Sequence, residues 1–169
     1  MIIGDFVKLY LPGFAQGTLM PVNHSVSVYK EELEYYKVSL LLYNFINMIY
    51  NKEQANAGIM HNLPYDKREL YKALVLMIKK GTCDDDVKVH IAQGMANVDV
   101  SQTIYDIMSG LSASDEKMLI YSIINTLTES PEINSVLITV NGNRVQTRSK
   151  DRISIYNPLV RNTGIIMEG

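Results

Sequence analysis

The sequence holds a single cysteine and no tryptophan. One thiol allows no internal disulfide, and cysteine-based metal arrays are excluded. The three histidines, His24, His61 and His90, are scattered along the chain. A metal site would need them to converge with carboxylates, so neither a metal nor another cofactor is expected. No GxGxxG follows a strand, no GKS or GKT is present to cradle phosphate, and no GxSxG nucleophile elbow occurs. A basic excess is missing too: 16 Lys and Arg stand against 18 Asp and Glu, a net charge of -2. That balance gives no support for a nucleic-acid partner or a polybasic membrane patch. No apolar run is long enough to cross a bilayer, and the start lacks a signal-peptide pattern. Cys83 is internal and cannot serve as an N-terminal lipid anchor. Attachment to a membrane is therefore expected only through a tether outside this chain.

What is present suits one domain with a substantial core: 169 residues, 47% hydrophobic and 20% charged. The segment around which the rest is organised runs over 112–145. Leu119, Ile120, Ile123, Ile124 and Leu127 recur at helical spacing. Ser112 or Ser114 can cap the start, and Ser112 with Asp115 fits a capping box. Pro131 stops the helix by biasing Ser130 out of the α region. Val136, Ile138 and Val140 then alternate with Ser135, Leu137 and Thr139, a strand with one strongly apolar face. Asn141-Gly142 supplies residues that tolerate positive φ, which predicts a reversal into a short strand over 144–147.

Earlier, alternation predicts strands over 6–13 and 26–29, with a loop or hairpin connection over 14–21. A helix is predicted over 31–50, its apolar side built from Leu33, Tyr36, Leu40, Leu41, Phe45, Met48 and Ile49. The stretch 51–62 is a fraying helix end or a loop. A second helix is predicted over 66–80, with Asp66 and Glu69 as a capping pair and Gly81 as the stop. Val87, Val89 and Ile91 form one core-facing row, with His90 on the other face; after a turn at Gln93-Gly94, Ala96, Val98 and Val100 form the next. Ser101 can cap a short helix over 101–109. The stretch 152–155 is extended, and Ile165, Ile166 and Met167 either pack or fray. The fold class is α/β (α+β): a mixed or antiparallel sheet with helices packed mainly on one face.

The candidate surface is basic. Arg144, Arg148, Lys150 and Arg152 cluster after the Asn141-Gly142 turn. Such a rim can meet an anionic polymer or an acidic partner, or be a solvated edge that blocks strand pairing. Tyr35, Tyr36, Tyr43 and Tyr50, at helical spacing, are an interface stripe or ordinary packing. Asp84-Asp85-Asp86 reads as a solvated turn rather than a cation site, and Cys83 has no sequence support as a nucleophile.

The run 118–131, MLIYSIINTLTESP, followed by INSVLITVNG over 133–142, resembles the GerMN domain of sporulation and germination lipoproteins. The hairpin residues 87–89 and 93–101, the start 7–12 and the end 156–162 fit the same pattern, strongest over 87–162. The resemblance implies a single GerMN-like domain over 1–169 with an enlarged helical region at 36–80. It implies no catalytic residues and a fold similar to the ring-building domains of the channel between mother cell and forespore. The expectation is a non-enzymatic, extracytoplasmic domain of the envelope or intermembrane space of a spore-forming bacterium. Its partners would be envelope or sporulation proteins, including copies of itself as a homo-oligomer. The alternative is a module that binds peptidoglycan or another envelope glycan through the Arg144–Arg152 rim.

Overall fold

The computed structural model describes residues 2–13, 18–55, 86–146, 148 and 150–166. The helix expected over 66–80 lies outside them, with His61, Cys83, Asp84 and Asp85.

The chain opens with a long antiparallel ribbon, β1 (Ile2–Gly13) against β2 (Thr18–Tyr29). Both strands outrun the stretches that alternation marks. Pro21 makes 18–21 read as a loop, yet it lies inside β2, opposite Tyr10. The Tyr10 N–H donates to Thr126 Oγ1 at 3.0 Å and its carbonyl accepts from the Ser122 hydroxyl. Both groups therefore point away from β2. In an antiparallel ladder that marks a pair exchanging no backbone bonds, so the missing N–H of Pro21 costs the ladder nothing.

A 3-10 turn, Lys30–Glu32, leads into α1 (Leu33–Ala55), which runs five residues past the predicted end at 50. Its buried side is Val38, Leu41, Leu42 and Phe45, at i, i+3, i+4 and i+7. Leu33, Tyr35, Tyr36 and Leu40 are half-buried, so the inward stripe is rotated from the expected one.

The second sheet has the order β3-β4-β5. β3 (Val87–Ala92) and β4 (Met95–Val100) form the expected hairpin across Gln93 and Gly94, with φ of 52° and 79°. α2 (Gln102–Ser109) follows, with the Ser101 hydroxyl accepting from the Ile104 N–H at 3.2 Å. The Ser112 hydroxyl caps α3 (Ala113–Leu127) in the same way at Asp115, 3.1 Å. β5 (Ser135–Val140) lies parallel to β4. Parallel neighbours cannot be joined by a tight turn, so α2 and α3 form the crossover between them. The sheet is thus mixed, and the β1–β2 ribbon is a separate sheet rather than an extension of it. Val87 is buried and Val89 half-buried, but Ile91 is 38% exposed near the hairpin tip, contrary to the expected core row.

Asn141 and Gly142 adopt φ of 50° and 82° and reverse the chain. Asp99 Oδ1 ties this turn to β4 by accepting from the Gly142 N–H at 2.7 Å. The expected second strand does not form. Val140 and Asn143 make an isolated bridge, and residues 144–146 have no regular structure. The segment beyond is held by side chains and by isolated bridges at Leu159 and Ile166 rather than by a continuous ladder.

α3 sits at the centre. Leu119, Ile120, Ile123, Ile124 and Leu127 pack with the inward rows of β4 and β5 and with the buried sides of α1 and α2 in one cluster. On another side Met118 meets Tyr10 and Leu19, with Tyr121, Ile165 and Ile166 packed around them, so the latter two do pack. Fully burying an aliphatic side chain contributes about 1.5–3 kcal/mol, which makes α3 the largest single contributor of apolar stabilisation among the described elements.

Two glycines give a paired prediction. A Cβ on Gly94 would lie 2.9 Å from Asn134 Nδ2, whereas one on Gly142 meets nothing within 4 Å. Both residues have positive φ, so both alanine variants carry the left-handed strain of about 1–2 kcal/mol. Gly94→Ala is expected to lower the denaturation midpoint further than Gly142→Ala, because Asn134 must also move.

Candidate functional site

α3 is buried beyond its apolar stripe. Glu116, Ser122, Asn125 and Thr126 are each 0% exposed. Burial of polar groups is tolerated only when they are bonded, and each of these holds another piece of chain. Ser122 and Thr126 take the outward backbone groups of Tyr10 in β1. The Asn125 side chain pairs with the Asn162 backbone, donating to its carbonyl and accepting from its N–H, both at 2.9 Å. Glu116 receives two guanidiniums: Arg148 on Oε1 and Arg152 on Oε2, the latter at 2.9 Å.

That pairing divides the basic rim expected from the sequence. Arg148 also donates to the Ile153 carbonyl at 2.7 Å, lies over the Tyr105 ring and is only 5% exposed. Arg152 also donates to the Leu111 carbonyl at 2.6 Å. Both charges are directed inward, because a buried carboxylate on α3 needs them. Arg144 and Lys150 remain exposed, with Arg144 5.5 Å over the Tyr156 ring.

A second cluster joins residues the sequence gives no reason to associate. Tyr10 donates its hydroxyl to Glu129, and Arg161 reaches the same hydroxyl at 2.6 Å and the carboxylate at 2.7 Å. Arg161 also donates to the Asn125 carbonyl at 2.8 Å and lies 5.0 Å over the Tyr10 ring. Burial, and then the bond to Glu129, push the Tyr10 phenol up. Burial pushes Glu129 up as well, but the bonds from Tyr10 and Arg161, with the Arg161 charge, bring its carboxyl below the ordinary value. The phenol therefore stays protonated and the carboxyl ionised at neutral pH. This is a charge-balanced tie between β1, the end of α3 and the C-terminal segment.

The linkage has a definite sign. A depressed carboxyl contributes stability above its unfolded pKa, and loses it as pH falls through the folded one. A raised phenol contributes below its unfolded pKa and loses it as pH rises through the folded one. Denaturation measured across pH should therefore show Glu129→Gln with a flatter acid limb than the native chain. Tyr10→Phe should flatten the alkaline limb as well. Unchanged limbs would mean that the tie carries no stability.

Among the described residues, no group of three His, Cys, Asp or Glu side chains could hold a metal ion. No helix among them is long and apolar enough to cross a membrane. His90 is exposed, and Asp86 accepts from the Ser101 hydroxyl at 2.8 Å. Of the helical tyrosines, Tyr35 packs against the core, while the side chains of Tyr43 and Tyr50 lie outside the described residues. Phe6, Met20, Tyr29, Ile91, Tyr156 and Val160 are the large apolar side chains exposed to solvent among those described.

The family model described as Germane, sporulation and spore germination, matches residues 47–146. No curated protein matches the chain. The tandem GerMN domains of the sporulation protein GerM from Bacillus subtilis match at 17% identity and a TM-score of 0.49, over 98% of this chain and 48% of that one. The chain thus spans about half the length of that tandem structure. The first GerMN domain of the same protein matches at 17% identity and a TM-score of 0.49, over 92% of this chain and 97% of that one.

Proposed function

This chain belongs to the Germane family of sporulation and spore germination domains, and from that premise we propose that it works by contact rather than by catalysis. It is an extracytoplasmic domain, tethered to a membrane through a segment outside this chain. It binds a copy of itself or another sporulation or germination protein. The family is described by sporulation and spore germination, which supports this reading.

One observation carries the reading. The polar residues buried on α3, Glu116, Ser122, Asn125 and Thr126, each pin a backbone segment or an arginine, so all four serve the fold. Among the described residues, the large apolar side chains that reach solvent lie on the long ribbon (Phe6, Met20, Tyr29), at the hairpin tip (Ile91) and on the tail (Tyr156, Val160). Such mixed polar and apolar surface is the usual material of non-obligate interfaces. Light scattering over a concentration range, joined to crosslinking in sporulating cells, tests it. A self-associated species or a specific captured protein is the expected result. A strictly monomeric domain with no crosslinked partner would overturn it.

The second reading is an envelope-glycan module, favoured by Arg144 stacked on Tyr156 with Lys150 exposed nearby in sequence. Arg148 and Arg152 are unsuitable probes, because removing them strands Glu116. Sedimentation with purified sacculi should weaken severalfold in an Arg144→Ala, Lys150→Ala double variant if glycan is bound. Equal sedimentation of the two proteins would remove this reading.

A further inference from the structure

The four strand edges differ in how they are closed, and the difference singles out β2. The edge of β1 at Tyr10 is met by Ser122 and Thr126. The edge of β5 is closed at Val136, which exchanges both backbone bonds with Leu159, at 2.9 and 2.8 Å. β3 is only six residues long and carries an exposed Lys88, a common guard against edge pairing. β2 is twelve residues long and, among the described residues, its outer edge meets backbone only at Leu19, in a bridge with Ile166.

Parity determines which groups that edge presents. Tyr10 opposite Pro21 exchanges no bonds, so alternate pairs along the ribbon do not either. On β2 the backbone N–H and carbonyl groups of Asn23, Ser25 and Ser27, and the N–H of Tyr29, therefore point outward; the Tyr29 carbonyl starts the 3-10 turn. The side chains of all four are exposed, while Val26 of the opposite face is buried. Pro21 has no N–H to offer, so a ladder started by Ile166 at Leu19 meets an interruption there. From Pro21 to Tyr29 the strand contains no Lys, Arg, Asp or Glu.

We propose that this edge pairs with the same edge of a second copy, antiparallel, about a two-fold axis at Ser25. The idea rests on the contact-based function above and names the contact surface. The occupant follows from the strand itself. In this register Ser25 faces Ser25 of the other copy and Asn23 faces Ser27, while Val22 lies across from Val28 on the core-facing side. No like charges meet, small polar side chains cover the exposed face, and the outward N–H groups are donors awaiting acceptors. The product is a four-stranded sheet, β1-β2-β2-β1, a self-complementary two-fold contact.

Sedimentation velocity on the native chain over a wide concentration range reads the dimer directly. Ser25→Pro removes one outward N–H and leaves the β1–β2 ladder intact, because that N–H faces away from Phe6. It should raise the dimer dissociation constant roughly tenfold or more. Ser25→Lys brings two ammonium groups together and should abolish the dimer. A thermal melt confirms that each variant is folded. In a Cys83→Ser background, Ser25→Cys should form a disulfide between copies on mild oxidation, since facing residues of a bonded pair lie about 5.5 Å apart at Cα. A dimer that survives both Ser25→Pro and Ser25→Lys overturns the proposal but leaves self-association, through another surface, in place. A native chain that stays monomeric overturns it as well. Crosslinking to a different protein in sporulating cells would then preserve the contact-based function. Failure of both experiments removes both readings.

Discussion

Glu116→Ala is expected to cost about 3–5 kcal/mol of folding stability, the usual penalty for breaking a buried ion pair from one side. The carboxylate is 0% exposed and is the shared partner of Arg148 and Arg152. Removing it leaves two guanidiniums facing a space from which water is excluded. A domain of this kind has about 5–15 kcal/mol in total, so the variant should be marginal near body temperature. Glu116→Gln keeps the volume and one acceptor but not the charge, and should fall between. The decisive comparison is Glu116→Leu combined with Arg148→Leu and Arg152→Leu. Replacing a whole buried ionic group by apolar side chains is often close to neutral, so the triple variant should be more stable than Glu116→Ala alone. Urea denaturation measures all three. A Glu116→Ala cost under about 1 kcal/mol, the level of a surface pair, would mean that the site is solvated.

The second large effect is expected at Asn125. Its side-chain amide takes the place of a neighbouring strand for Asn162, with one bond in each direction. Asn125→Ala removes both and leaves a backbone donor and acceptor in a half-buried position. At about 1–3 kcal/mol for each buried group left unsatisfied, and with partial access to water, the loss should be about 2–3 kcal/mol. Asn125→Asp keeps the acceptor for the Asn162 N–H but sets an oxygen against the Asn162 carbonyl, so it should do no better than alanine. Amide exchange adds a local reading: the Asn162 N–H should exchange much faster in either variant, while β4 and β5 amides follow only the global loss. Unchanged protection at Asn162 would show that the tail is held without this amide, by Arg161 and the bridges at Leu159 and Ile166.

Legibility in the sequence varied by element for physical reasons. α3 was readable because its signals are local: a cap at Ser112, a stripe from Leu119 to Leu127, and a proline at 131. The turns at Gln93-Gly94 and Asn141-Gly142 were readable because few residues tolerate positive φ. β2 was not, because Pro21 normally breaks a strand and is harmless here only through the register with Tyr10. The strand expected after Asn143 has turn chemistry but no partner. The basic rim illustrates the limit most clearly. Arg144, Arg148, Lys150 and Arg152 form one charged cluster in sequence, yet the fold directs two of them inward and leaves two outside.

By itself, then, the sequence determined the α/β class, the caps, the turns and the helix that the rest surrounds, since these follow from propensities and periods within a few residues. Only the tertiary structure decided what Glu116, Asn125, Tyr10 and Arg161 do. Their partners lie between 32 and 151 positions away. Whether a polar side chain holds the core together or faces a partner depends on which distant backbone arrives beside it, and no local pattern encodes that arrival.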